Sequence, residues 1–128
     1  MRPGVTSGGP WEAAYGYRRA IVAGDGCWVA GTTDAGPDGH SAHPGDAGAQ
    51  ARAVFGIIER ALADAGFGLS DVVRTRMLVI DIADADAVAA VHGEVFRDVQ
   101  PAATLVQVVA LIDPTLRVEI EVDAVRTP

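Results

Sequence analysis

The stretch from Arg117 to Val125 concentrates the groups that could do chemistry. Val118, Ile120, Val122 and Ala124 alternate with Arg117, Glu119, Glu121 and Asp123. That period of two predicts a strand with one apolar and one charged face. A carboxylate held on a strand, as Glu119 is, can activate a water as a general base or hold a polar ligand. It can equally pair with Arg74 or Arg76, which share one face of another predicted strand. For Arg76 a structural ion pair with Glu119 or Glu121 is expected. His92 falls one helical turn from Val88 and Phe96, inside an apolar stripe. It reads as a core or interface histidine with one hydrogen bond, or as a general acid/base at a cleft rim. Gln107 could donate a hydrogen bond in a cleft or make a cross-strand structural bond.

Other patterns carry less. His40, His43 and Asp46 form an H-x-x-H-x-x-D run with three possible metal ligands, but in a loop without rigid spacing, so no metal is expected. Gly24-x-Gly26 opens no helix and is a hairpin turn, not a dinucleotide motif. The chain has no G-x-S-x-G elbow and no P-loop. Cys27 is the only cysteine, which rules out an intrachain disulfide and leaves it as a small buried residue. The 128 residues suit one domain. Seventeen acids face ten arginines and no lysine, a net charge of −7 that argues against a nucleic-acid partner. No apolar run approaches the roughly 20 residues of a membrane span. Residues 1–10, rich in Gly and Pro, read as a flexible lead-in without the apolar core of a signal peptide, and residues 11–128 as the domain, placed in the cytoplasm.

The elements that must position these groups follow from periodicity. Tyr17 to Ala23 and Cys27 to Thr32 read as a hairpin about Asp25-Gly26. Asp46 caps a helix whose apolar residues Ala51, Val54, Phe55, Ile58, Ala61, Leu62 and Ala65 share a face, and Gly66 ends it. Val72 to Ile80 is a β-branched strand. Asp84 or Asp86 starts a second helix to about Asp98. Ala103 to Leu111 and Leu116 to Val125 are the last strands, split by Asp113-Pro114. The order ββαβαββ predicts an α+β domain, a mixed sheet with two helices on one face. The other face carries too many apolar side chains for plain solvent surface, so an oligomer interface is expected there. Trp28, in mid-strand, is expected in the core, and Trp11 and Tyr15 as a cap or a cleft cover.

Read in order, several segments resemble the Rid family, also called YjgF or L-PSP. They are Val29-Ala30-Gly31-Thr32, Ala49-Gln50-Ala51-Arg52, Leu69-Ser70-Asp71-Val72-Val73-Arg74-Thr75, Pro101-Ala102-Ala103-Thr104 and the run from Val118 to Val125. The resemblance implies a chorismate-mutase-like fold and a homotrimer with clefts between subunits. Its best-known members hydrolyse reactive imines and enamines to a 2-oxo acid and ammonia, with neither metal nor cofactor. Carried over by position, Tyr17 is the cleft aromatic, Gly31 the backbone contact at the end of the second strand, and Glu119 the group that positions the attacking water. Ala30 and Thr32 stand where the family has hydroxyl or amide side chains. Ala103 stands where deaminating members carry the arginine that grips the substrate carboxylate, and Leu105 where they carry a cysteine. Alanine has no substitute for a bidentate arginine contact. With Ala103 empty, Arg76 becomes a second candidate cation for a ligand. The expected function is a homotrimer acting on a small polar metabolite by imine or enamine hydrolysis or a related deamination. The alternative is a trimer that binds a small molecule or a partner without turnover. Ribonuclease activity, attached to the family by name, fits poorly with an acidic chain.

Overall fold

A computed structural model describes residues 2–127. Six strands form one mixed sheet in the order β1-β2-β3-β6-β4-β5. They are β1 (Gly4–Val5), β2 (Ala20–Ala23), β3 (Gly26–Thr32), β4 (Val72–Val79), β5 (Ala102–Gln107) and β6 (Val118–Val125). All neighbours are antiparallel except β4 and β5, which run parallel. Two long helices, α2 (Ala47–Asp64) and α3 (Ala85–Phe96), pack on one another, and α2 lies across β3 and β6.

The alternation read in β6 is realised residue by residue. Val118, Ile120, Val122 and Ala124 are buried under the helices, and Glu119, Glu121 and Asp123 are half-buried on the open face. Asp46 accepts a hydrogen bond from the Ala49 amide at 2.9 Å and so caps α2. Gly66 takes φ +85° just past its end, a conformation that favours glycine. The buried face of α2 contains one polar side chain, Gln50. Its amide donates to the His43 and Thr115 carbonyls and accepts from the Arg117 amide, so the loop before α2 is tied to the turn before β6. Fully paired, it avoids the roughly 1–3 kcal/mol that an orphaned buried polar group costs.

Some elements differ from the sequence reading. The lead-in expected over 1–10 is built into the sheet: β1 pairs with β2, and the Val22 amide donates to the Pro3 carbonyl. A two-residue strand held through its backbone leaves no side-chain period to read. A short helix, α1 (Pro10–Tyr15), follows, with Pro10 in its first turn and Gly16 ending it at φ +75°. The first long strand begins at Ala20 rather than Tyr17, because the Tyr17 amide is spent closing α1 on the Glu12 carbonyl. The strand expected to Leu111 stops at Gln107, opposite the last residue of β4. Trp28 lies on the open face, 48% exposed, because Cys27 and Val29 on either side of it face the core. Val109 and Ile112 are also exposed, beyond the end of β5.

Candidate functional site

Glu119 rises from the start of β6 on the open face, beside the end of β3. The β3–β6 pairing shifts register between Val29 and Thr32, and Gly31 sits at that irregularity. A Cβ on Gly31 would lie 2.3 Å from Glu119 Oε2, so the carboxylate occupies the space a side chain would fill. Burial pushes the Glu119 carboxyl above its ordinary value. The charge of Arg19 opposes that shift, and Glu121 adds to it.

Arg19 enters from the segment before β2. Its Nη2 donates to the Gly31 carbonyl at 2.7 Å, and its guanidinium carbon lies 6.0 Å from the centre of the Tyr17 ring. Its Nε is buried and has no hydrogen-bond partner among the described residues. Tyr17, Arg19 and Thr32 line a cavity of about 790 Å³ whose other walls include Trp11, Glu12 and Arg60. That volume lies in the range of small-molecule sites. Glu12 is only 5% exposed. Burial alone would raise its carboxyl, but hydrogen bonds from Ser7 and Thr6 and the charge of Arg19 outweigh burial and hold it below its ordinary value.

Of the residues expected at a site, the structure therefore gathers Tyr17, Gly31, Thr32 and Glu119. The Thr32 hydroxyl is turned to its own backbone and donates to the Ala30 carbonyl at 2.7 Å. Arg76 lies elsewhere on the open face. Its Nη1 donates to Glu121 at 3.3 Å and to Asp123 at 3.4 Å, beside a shallower depression of about 530 Å³ that Arg18 and Trp28 also line. The register explains it: Arg76 stands opposite Glu121, whereas Glu119 stands opposite Leu78. Of the two roles open to Arg76, the geometry fills the ion pair, with Glu121 as the partner.

His92 belongs to the other side of the sheet. Its Nε2 is 2.8 Å from the Thr75 hydroxyl, and its ring lies 4.8 Å from that of Phe96 and 5.9 Å from that of Phe55. Burial lowers its pKa. Thr75 stands opposite Ala103 on β5, so His92, Ala103, Leu105 and Gln107 share that side, one strand beyond β4. Gln107 is engaged structurally, its side-chain oxygen accepting from the Ile82 amide at 2.8 Å. The H-x-x-H-x-x-D run is dispersed. His40 pairs with Asp113, His43 with Asp34, and Asp46 caps α2. No three His, Cys, Asp or Glu converge among the described residues, and no helix there is long and apolar enough to cross a membrane.

Arg19 is the site residue that sequence reasoning missed. Its signal was its position two residues after Tyr17, but its approach to Glu119 depends on the irregular end of β3.

Comparison with known proteins places the chain in a family. Residues 10–126 match the family model described as Endoribonuclease L-PSP. The chain is 44% identical to a Mycobacterium tuberculosis protein of the YjgF/YER057c/UK114 family whose crystal structure superposes with a TM-score of 0.89, covering 98% of this chain and 100% of that one. It is 41% identical over 122 residues to an uncharacterised protein of Streptomyces coelicolor, covering 95% of this chain and 90% of that protein. It is 35% identical over 104 residues to the 3-aminoacrylate deaminase RutC of Acinetobacter baylyi, covering 81% of this chain and 82% of that enzyme. With the family model spanning nearly the whole sequence and the fold shared from end to end, the chain belongs to the L-PSP, or YjgF/Rid, family.

Proposed function

We propose that this chain hydrolyses small imines or enamines bearing a carboxylate, as a homotrimer whose clefts lie between subunits. The observation that carries the proposal is the Glu119 carboxylate, raised above its ordinary value and seated over Gly31 beside Tyr17 and Arg19. A base whose pKa is shifted toward the working pH is the better proton-transfer catalyst. Water adds to the C=N carbon while Glu119 accepts its proton. Glu119 then returns that proton to the nitrogen. The hydroxyl proton of the tetrahedral carbinolamine then passes to the nitrogen as the C–N bond breaks, leaving a C=O bond and ammonia. One imine and one water thus give one 2-oxo acid and one ammonia.

The RutC relative supports the substrate class, since 3-aminoacrylate is an enamine acid. The exposed Trp28, Val106, Val109 and Ile112 support assembly, because large apolar side chains left exposed are a feature of interfaces. In one copy the Glu119 carboxylate and the side chains of Ala103, Leu105 and Gln107 lie on opposite sides of the sheet. A cleft between copies is what would let Ala103 of one face Glu119 of another.

The test generates 2-iminobutanoate in situ with a pyridoxal-phosphate dehydratase and follows release of 2-oxobutanoate with and without this protein. Faster release is the expected result. An unchanged rate, from protein shown to be a folded trimer, defeats the hydrolase reading and favours the alternative, a trimer that binds without turnover. That alternative rests on Ala103, which offers no cation.

A further inference from the structure

We infer that Arg19 holds the anionic group of the ligand, the task left open by Ala103. The inference rests on Glu119 being the reacting site and names the cation that the substrate's carboxylate meets there.

Three observations carry it. First, Arg19 takes part in none of the ion pairs within 4 Å among the described residues, although those pairs engage Arg52, Arg76 and Arg117. Glu12 and Glu119 both feel its charge, yet neither bonds to it. Second, the guanidinium is fixed before any ligand arrives. The Nη2 bond to the Gly31 carbonyl sets its position and leaves the other Nη donors for a ligand, while the buried Nε has no partner among the described residues. A planar fork held in this way is the donor set that recognises a carboxylate with two parallel bonds. Third, Arg19 lines the cavity with Tyr17 and shares the Gly31 backbone with Glu119. Glu119 does not line that cavity, but it feels the charge of Arg19, so a small acid gripped by Arg19 would be held on the side of the guanidinium that borders the carboxylate.

The cation thus comes from the β2 side of the site. It is built into the same chain as Glu119, rather than brought from β5. Charge distribution agrees. The neighbouring carboxylates Glu12 and Glu119 would repel an anion, so a ligand must place its charge on the guanidinium and direct its nitrogen toward the acids. That arrangement selects a zwitterion-like shape, carboxylate at one end and amine or iminium at the other.

The test measures equilibrium binding by calorimetry with two probes, 2-oxobutanoate and its neutral amide. Wild type should bind the acid at least about 30-fold more tightly than the amide, the low end of what a lost charged contact costs. Arg19→Gln, which keeps an N–H for the Gly31 carbonyl, should lower acid binding to the level of the amide and leave amide binding unchanged. Arg19→Lys should recover part of the loss, and Arg76→Gln should lose nothing. Far-ultraviolet circular dichroism and melting curves establish that each variant is folded. The inference is overturned if folded Arg19→Gln binds the acid as wild type does, if wild type does not distinguish acid from amide, or if it binds neither. Because binding needs no turnover, acid binding that depends on Arg19 without imine hydrolysis sinks the hydrolase alone. Hydrolysis with an unchanged KM in Arg19→Gln sinks this inference alone.

Discussion

Arg19 and Arg76 each sit near acids of β6, yet they end in opposite states. Arg76 belongs to a regular ladder. Its register partner is Glu121, Asp123 is within reach, and its charge is taken up. Arg19 comes from outside the ladder, across the irregular end of β3. It bonds a backbone carbonyl and keeps its charge free of ion pairs among the described residues. Cross-strand pairing converts a cation into structure when an acid stands directly opposite. Where the ladder breaks, a cation can be held rigid by the backbone without being neutralised. That second condition is the one a ligand can use.

The largest effect expected is on Glu119. Glu119→Gln should lower imine hydrolysis by about 10²-fold or more, the typical contribution of a general base, while 2-oxobutanoate still binds. The same variant carries a stability signature. The folded chain keeps the Glu119 proton to higher pH than the unfolded chain, so ionising it above its ordinary value of 4.5 costs the folded state stability. Glu119→Gln removes that cost. Its melting temperature should match wild type near pH 4 and exceed it increasingly toward pH 7. A variant less stable than wild type at pH 7 would mean that the carboxylate is a structural anchor, like the acids around Arg76.

Gly31→Ala comes next. The added Cβ meets the far end of the Glu119 side chain, which can swing away. The fold should therefore survive with little loss of stability, while displacement of the carboxylate lowers kcat about tenfold or more. Equal kcat in a folded Gly31→Ala protein would show that the position of Glu119 is not what the site requires.

Much of this was legible in the sequence, for identifiable reasons. The alternation in β6, the stripe of α2 and the caps Asp46 and Gly66 all lie in local periods, and each recurs in the structure. Glu119, Tyr17 and Gly31 were reached through resemblance to a family, and the fold brings them to one place. Register was not legible. Nothing local in Arg76 or Leu78 shows which stands opposite Glu119, so the arginine that pairs and the arginine that stays open could not be told apart. Trp28 failed for a related reason: mid-strand position was read as burial, although Cys27 and Val29 had already claimed the inward face. The segment 1–10 was missed because β1 is held through its backbone.

The smallest expected effect tests the other half of the comparison. Arg76→Ala removes two ion pairs whose members are more than a quarter exposed, with side-chain exposures of 38% for Arg76, 41% for Glu121 and 27% for Asp123. Solvent screens such pairs, so the loss should stay within about 1 kcal/mol, a fall of a few degrees in melting temperature for a domain of this size. Part of that loss is not the pairs themselves but the repulsion left between Glu121 and Asp123, so it should shrink as salt is added. Acid binding and imine hydrolysis should stay within about twofold of wild type, because Arg76 stands opposite Glu121 and not Glu119. If Arg76→Ala instead weakens 2-oxobutanoate binding as much as Arg19→Gln does, the two arginines act on one ligand, and register does not separate structural from functional charge here.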